Sequence, residues 1–397
     1  MNNILKTHSL ELNQNRFDLK NLELKLSKTI NHQDYNLNIF NIVNKYKKYI
    51  DNVDKFLWDK IKLLVNDYES IYSKEISVSS YIPISRAYFK FWELLKKYHL
   101  INNNANLNTL CLAEGPGGFV EAIYNYRKKH SKFDTKCTCM TLISEDNFIP
   151  DWKKASFFFK CNKNINLFYG KDNTGDLYNP DNIKELFKKF KKNKIDLATA
   201  DGGFDYSSNY QTQEQSSYKL IVCEIISALG CLKEGGNFVI KIFDIHTKFT
   251  LKIIYFLTKY FKKVLIDKPV TSRNLNSEKY LICLNFVGIE DVLLEKFLIL
   301  IDKWNNYEKK KMYITDIFTF DIPNDFENLI YNYNIIYSKY NLSNIIKALT
   351  YIQIGLPYKH EKYLRQYQVL KSSYWCYIYD IGINFKLEEL NSEIYIE

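Results

Sequence analysis

Between residues 81 and 286 short apolar runs alternate with amphipathic stretches, and this alternation restricts the fold more than any single residue does. The apolar runs cover 109–113, 136–143, 166–170, 195–200, 237–243, 263–267 and 279–286. Their lengths suit strands. Between them, 119–129, 181–192, 213–232 and 247–261 have helical spacing, and Glu234-Gly235-Gly236 is expected to end the third of these helices. Such alternation predicts an α/β fold: a mostly parallel, seven-stranded sheet with helices on both faces. Ligands of such sheets lie at the carboxyl ends of the strands.

The flanks differ. Residues 1–75 are polar and rich in Asn and Lys, and 53–72 place Phe56, Leu57, Ile61, Leu64 and Val65 on one helical face. They predict a helical N-terminal extension. The alternating domain is expected to span 76–288. In 289–397 the strand signal fades, and 291–303, 342–352 and 359–379 read as helices, with a break at Leu356-Pro357. This predicts a mainly helical C-terminal region.

A net charge of +10 fits a polyanionic partner, although the chain is also inflated in Lys, Asn, Ile and Tyr. The runs Lys188-Lys189-Phe190-Lys191-Lys192 and Lys309-Lys310-Lys311 read as solvated helix faces. With 32 Tyr and 26 Phe, no single aromatic residue argues for base stacking. The eight cysteines form no CxxC pair and no histidine clusters near them, so no metal site is expected. Cys111, Cys223, Cys231 and Cys283 sit in apolar runs, as core residues in a reducing compartment do. No apolar run is long enough to span a bilayer, and Met1–His8 lacks the apolar block of a signal peptide. The expectation is an intracellular protein, cytoplasmic with the nucleus as an alternative, without membrane partners.

Four charged residues sit where charge is costly or where the sheet presents its site. Lys241 lies in Asn237-Phe238-Val239-Ile240-Lys241-Ile242-Phe243, and a lone ammonium on such a strand needs carboxylate partners or a role. Asp201 ends a strand just before Gly202-Gly203. Glu278 precedes the last strand, and Lys90 lies among Tyr88, Phe89, Phe91 and Trp92. Two ammonium groups and two carboxylates suit the removal of a proton from a hydroxyl. The segment Glu114-Gly115-Pro116-Gly117-Gly118-Phe119 follows a strand and opens a helix. Its glycines and free helix N–H groups suit a compact, amino-acid-like ligand, and it is not the dinucleotide fingerprint.

In this order the segments resemble the FtsJ/RrmJ-type ribose 2′-O-methyltransferases. Within that group the chain is similar to the cap-specific mRNA enzymes of large nucleocytoplasmic DNA viruses, of the asfarvirus type. The resemblance covers roughly 81–286. It is carried by Arg86-Ala87-Tyr88-Phe89-Lys90 through Leu95, by 114–119, by Thr199-Ala200-Asp201-Gly202-Gly203, by Lys241, and by Thr271-Ser272-Arg273 with Asn276-Ser277-Glu278-Lys279-Tyr280. It implies a Rossmann-like fold and S-adenosylmethionine as methyl donor. It also implies a catalytic Lys-Asp-Lys-Glu set formed by Lys90, Asp201, Lys241 and Glu278. Glu114, Gly115, Pro116, Gly117, Gly118, Phe119 and Asp201 would hold the donor, and Asp176, in Thr174-Gly175-Asp176-Leu177, would contact its adenine, with Asp172 close by. Capped RNA is the implied partner, with other capping or transcription subunits as further candidates, and DNA is not expected. Glu114 departs from the small residue of bacterial members, and Cys111 replaces the acid of their first strand.

The resemblance further implies that Lys241 contacts the ribose 2′-oxygen as base or oxyanion stabiliser. Burial and Lys90 would lower its pKa, while Asp201 and Glu278 would raise it, and sequence leaves the balance open. The rival functions are 2′-O-methylation of ribosomal or transfer RNA, and a non-catalytic RNA-binding or scaffold subunit.

Overall fold

The computed structural model describes residues 9–19, 21–30, 38–73, 77–146, 149–204 and 212–384. Its strands are Leu10–Asn13 (β1), Leu22–Ser27 (β2), Leu107–Leu112 (β3), Thr135–Met140 (β4), Ile165–Leu167 (β5), Ile195–Ala200 (β6), Leu232–Ile242 (β7), Phe261–Asp267 (β8), Lys279–Phe286 (β9) and Tyr313–Phe318 (β10). Eight of them form one sheet in the order β1-β8-β9-β7-β6-β3-β4-β5. Strands β3 to β7 pair in parallel, while β9 runs antiparallel to both β7 and β8.

The sheet therefore has eight strands, not the seven expected. The addition is β1, which pairs antiparallel with β8 at the edge and buries only Leu12. Four residues with one buried side chain leave too weak a pattern to read. Strand β2, which pairs with β10, alternates as Leu22-Glu23-Leu24-Lys25-Leu26-Ser27, a period-2 signal that the helical reading of this region overlooked. Strand β10 lies in the region where no strand was expected, and β3 to β9 match the runs read from sequence within about five residues. One boundary is different. The helix expected to end at Glu234-Gly235-Gly236 stops at Cys231, and Leu232 already belongs to β7.

Successive strand residues feed opposite cores. Leu110, Leu112, Ile240 and Leu281 pack with helices Tyr218–Cys231, Lys248–Tyr260 and Asp291–Lys309. Cys111, Val239 and Ile282 pack with helices Ala87–Tyr98 and Gly118–His130 and with Trp375. Burial on both faces explains why these strands read as continuous apolar runs. The chain order reverses at β3, which lies between β4 and β6, so the crevice opens beyond the carboxyl ends of β3 and β6.

The C-terminal region is mainly helical, with β10 within it, and its second long helix, Asn324–Ile354, far exceeds the 342–352 expected. Its buried stripe includes Asn334, Ser338, Asn341 and Asn344, which hides the apolar period. In the N-terminal flank only Lys55–Leu64 and a single turn, Glu69–Ile71, are helical within 53–72, and Asn38–Ile50 is an additional helix. No helix among the described residues is long and apolar enough to cross a membrane.

If β1 is docked as the eighth strand, Leu12→Ala lowers stability by about 2–3 kcal/mol. Urea unfolding followed by far-UV circular dichroism measures this, and an unchanged midpoint would show that the edge pairing adds nothing.

Candidate active site

The four charged residues converge at the carboxyl edge. Asp201 immediately follows β6, and Lys241 is the penultimate residue of β7, its parallel neighbour. Glu278 immediately precedes β9, whose Tyr280 is in register with Lys241. Lys90 projects from helix Ala87–Tyr98. Its Nζ lies 2.7 and 2.9 Å from the two carboxylate oxygens of Glu278. The Nζ of Lys241 lies 3.2 Å from Oδ1 of Asp201 and donates to the Asp201 carbonyl at 2.7 Å. All four side chains keep 12–15% exposure, so their charged ends reach the crevice while their stems are packed away.

The balance left open by the sequence is decided here. Burial disfavours the Lys241 charge, but Asp201 and Glu278 outweigh it, and its pKa is raised. Burial likewise opposes the Glu278 charge, yet Lys90, Lys241 and Lys268 together hold its carboxyl down at about 2. The two ion pairs thus form one charge cluster.

Several members of the site escaped sequence reading. Tyr280 donates its hydroxyl to Oδ1 of Asp201 at 3.0 Å. Ser272 donates to Oε1 of Glu278 at 2.8 Å. Lys268 donates to the Glu278 carbonyl at 3.0 Å, and burial lowers its pKa to about 7. Glu224, on helix Tyr218–Cys231, accepts the Gly202 N–H at 3.2 Å. Burial raises its pKa to about 8, against the pull of Lys241. A Cβ on Gly202 would meet Glu224 Oε1 at 2.2 Å, and one on Gly203 would lie 3.3 Å from Lys241 Nζ. The Asp201-Gly202-Gly203 turn is therefore clamped between a carboxyl and an ammonium, with no room for a side chain at Gly202.

The loop after β3 stands beside this cluster. Gly117 adopts φ +116°, and helix Gly118–His130 begins there without a side-chain cap. The absence of a Cβ at Gly115 lets the Pro150 carbonyl lie against it, and at Gly118 it makes room for Ser85 Oγ. These glycines thus serve protein packing as well as any ligand. Pro116 follows Gly115 through a cis peptide. The Phe119 ring is in the core, stacked on Phe91 at 4.3 Å, so only its backbone N–H faces the helix terminus. Glu114 is buried, and burial pushes its pKa well above the usual carboxyl range. Five buried polar atoms around the loop have no hydrogen-bond partner: Ser85 Oγ, both oxygens of Glu114, Trp152 Nε1 and Thr199 Oγ1. Thr199 faces Glu114 and favours its anion as a hydroxyl donor would, although the two do not meet at hydrogen-bond geometry. Such a group of orphans fits a polar ligand seated on the loop.

Asp176 and Asp172 separate clearly. Asp172 accepts from Thr174, Asn179 and Asn182, which saturates it as the knot of a turn and holds its pKa far below the ordinary value. Asp176 accepts the Tyr178 N–H through Oδ1. Its turn rests on the end of β4, where Gly175 leaves no space between itself and the Thr141 carbonyl.

The FtsJ-like methyltransferase family model matches residues 83–286. The chain belongs to this family. A cap-specific mRNA (nucleoside-2′-O-)-methyltransferase 2 from Drosophila melanogaster is 33% identical over 213 residues, covering 51% of this chain and 30% of the relative. Its namesake from Danio rerio is 30% identical over 281 residues, 64% of this chain and 36% of that protein. A cap-specific mRNA (nucleoside-2′-O-)-methyltransferase 1 from Mus musculus is 30% identical over 250 residues, 60% of this chain and 29% of that protein. The chain spans about a third of the length of these relatives. The FtsJ-like segment contains the whole charge cluster, the loop after β3 and the Asp176 turn. Among the described residues no group of metal-ligating side chains occurs.

The raised pKa of Glu224 carries a sign. Its carboxyl holds a proton in the folded chain at pH values where the unfolded chain has released it, so it costs stability as pH rises from about 4.5 through about 8. Glu224→Gln removes this dependence. Thermal midpoints of the wild type, relative to Glu224→Gln, should fall between pH 5 and pH 9. Parallel curves across that range would show that Glu224 is ionised throughout.

Proposed function

We propose that this chain transfers a methyl group from S-adenosylmethionine to a ribose 2′-oxygen of RNA, next to the 5′ cap of mRNA. The observation that carries the proposal is the cluster of Lys90, Asp201, Lys241 and Glu278 at the switch point of an FtsJ-like sheet. The cap assignment is supported by the relatives named above, and capped RNA is accordingly the proposed partner. The likeness to viral members rests on the order of the sequence segments alone, so the proposal extends only to the cap-specific class.

The donor, when bound, supplies an electrophilic methyl group on a positively charged sulfur. Glu114, the backbone around Gly115, Pro116, Gly117 and Gly118, and the Phe119 N–H are the groups proposed to hold its amino-acid end. The unpartnered oxygens of Glu114 suit an ammonium there. Asp176 is the proposed contact for its adenine, and Asp201 stands between the two reactants.

Lys241 is held as an ammonium by Asp201 and Glu278. In this state it donates a hydrogen bond and stabilises negative charge on the 2′-oxygen as the oxygen attacks. As the new O–C bond forms and the methyl–sulfur bond breaks, the electron pair of the latter would neutralise the sulfur, and the hydroxyl proton, now strongly acidic, would pass to Asp201 or water. Lys90 keeps Glu278 ionised, and Glu278 in turn keeps Lys241 charged. Fixing the oxygen in line with the methyl carbon supplies much of the acceleration.

Transfer of radiolabelled methyl to short capped and uncapped RNAs tests the reading. Lys241→Ala should slow transfer roughly 10²–10⁴-fold, the range for a group acting on the proton and charge of the nucleophile, with donor affinity nearly unchanged. Lys241→Arg keeps the charge and loses the base, so it should retain measurable transfer. Complete loss in Lys241→Arg, with donor binding intact, would favour a neutral-lysine base. Label on uncapped ribosomal or transfer RNA alone would move the substrate, and no label on any RNA despite donor binding would point to a non-catalytic subunit.

A further inference from the structure

The FtsJ-like segment ends at residue 286, yet the loop bearing Glu278 is held from outside it. Residues 268–278 join β8 to β9, and helix Asn324–Ile354 packs over them with polar atoms. The Tyr337 hydroxyl donates to the Asn276 carbonyl at 3.0 Å, and Asn341 Nδ2 donates to the Asn274 carbonyl at 3.3 Å. One turn earlier, Asn334 Nδ2 donates to the Ile245 carbonyl at 2.5 Å.

The Tyr337 ring makes a second grip. Its centroid lies 3.7 Å from Nζ of Lys279, the residue directly after Glu278. Lys279 is 1% exposed, and its ammonium donates to the carbonyls of Phe243 at 3.2 Å and Ser277 at 3.0 Å. A desolvated ammonium over an aromatic face is the strong form of the cation–π contact. Tyr337 therefore holds the backbone two residues before Glu278 and the side chain one residue after it.

A helix that only covered a core would present an apolar stripe. This helix has such a stripe in Phe326, Ile330 and Tyr333, and beside it Asn334, Tyr337 and Asn341 also aim donors at backbone carbonyls of the carboxyl edge. We infer that Tyr337 is a positioning residue for methyl transfer, through which the C-terminal helix fixes Glu278 against Lys90. Tyr337 touches neither reactant. The inference rests on the methyl-transfer reading above.

The test uses the full chain and its variants Tyr337→Leu and Tyr337→Phe. Single-turnover transfer to capped RNA is measured at saturating donor, well below the unfolding temperature. Backbone hydrogen exchange at 274–280 is measured in parallel. Tyr337→Leu should slow transfer roughly ten- to a hundredfold, the scale of a small misplacement. Donor Kd and RNA KM should hold, and exchange in the loop should speed up. Tyr337→Phe keeps the ring and should recover much of the rate. A wild-type rate in folded Tyr337→Leu would overturn the inference. So would slow transfer accompanied by an equal loss of donor affinity, because that is general loosening. If Tyr337→Leu does not fold, Asn341→Ala removes one hydrogen bond with little packing and decides by the same criteria. A wild-type chain inactive on every RNA would sink the methyl-transfer reading instead, and loop exchange would still decide whether Tyr337 positions it.

Discussion

The charge of Lys241 must be sustained at the edge of an apolar sheet, and much of the architecture answers that requirement. An ammonium so placed is tolerated only with carboxylates close by. One of them, Asp201, comes from the neighbouring strand. The other, Glu278, acts through the field of a loop that must itself be fixed. Glu278 is ionised because Lys90 reaches it from a helix on one face of the sheet. The cluster therefore needs β6, β7, the start of β9 and helix Ala87–Tyr98 in place together, and loosening any of them weakens the rest.

The buried carboxyls show how the same chemistry serves two ends. Glu93 accepts from the N–H groups of Val270 and Thr271, from the Thr271 hydroxyl and from Trp375 Nε1. Glu214 accepts from the N–H groups of His246 and Thr247 and from the Thr247 hydroxyl. Both are filled with donors and pin loops on either side of the site. Glu114 has none, and Glu224 accepts the Gly202 N–H at the border of hydrogen-bond length. A satisfied buried acid is a structural pin, whereas an unsatisfied one stores affinity for a donor that arrives later. That contrast, not burial alone, supports the role proposed for Glu114 in holding a ligand.

How much of this was legible depends on how sharply a residue conflicts with its neighbours. Lys241 and Asp201 stood out because a charge ends or interrupts an apolar run, and β6 and β9 were bounded correctly for the same reason. Glu224 gives a similar signal in Leu220-Ile221-Val222-Cys223-Glu224-Ile225-Ile226, a lone carboxyl within an apolar helix. The argument applied to Lys241 would have found it. Lys268 gave no such signal, because Asp267-Lys268-Pro269 looks like an ordinary polar turn until the loop closes over it. Strand β1 is too short to show a period. The first half of helix Asn324–Ile354 was lost because Asn334 and Ser338 interrupt the buried side formed by Phe326, Ile330, Tyr333 and Tyr337.

That last failure is itself informative. Hydrophobic periodicity finds helices that pack on cores and misses helices whose buried face binds backbone. Asn334 and Asn341 break the apolar pattern because their partners are carbonyls near the carboxyl edge of the sheet rather than side chains. Amide groups buried there would be costly unless satisfied, and each donates to a carbonyl of that edge. The stretch that reads worst as a helix is thus the stretch that meets the Glu278 loop most closely. Its illegibility and its proposed positioning role have one physical cause, directed hydrogen bonds set into an otherwise apolar buried face.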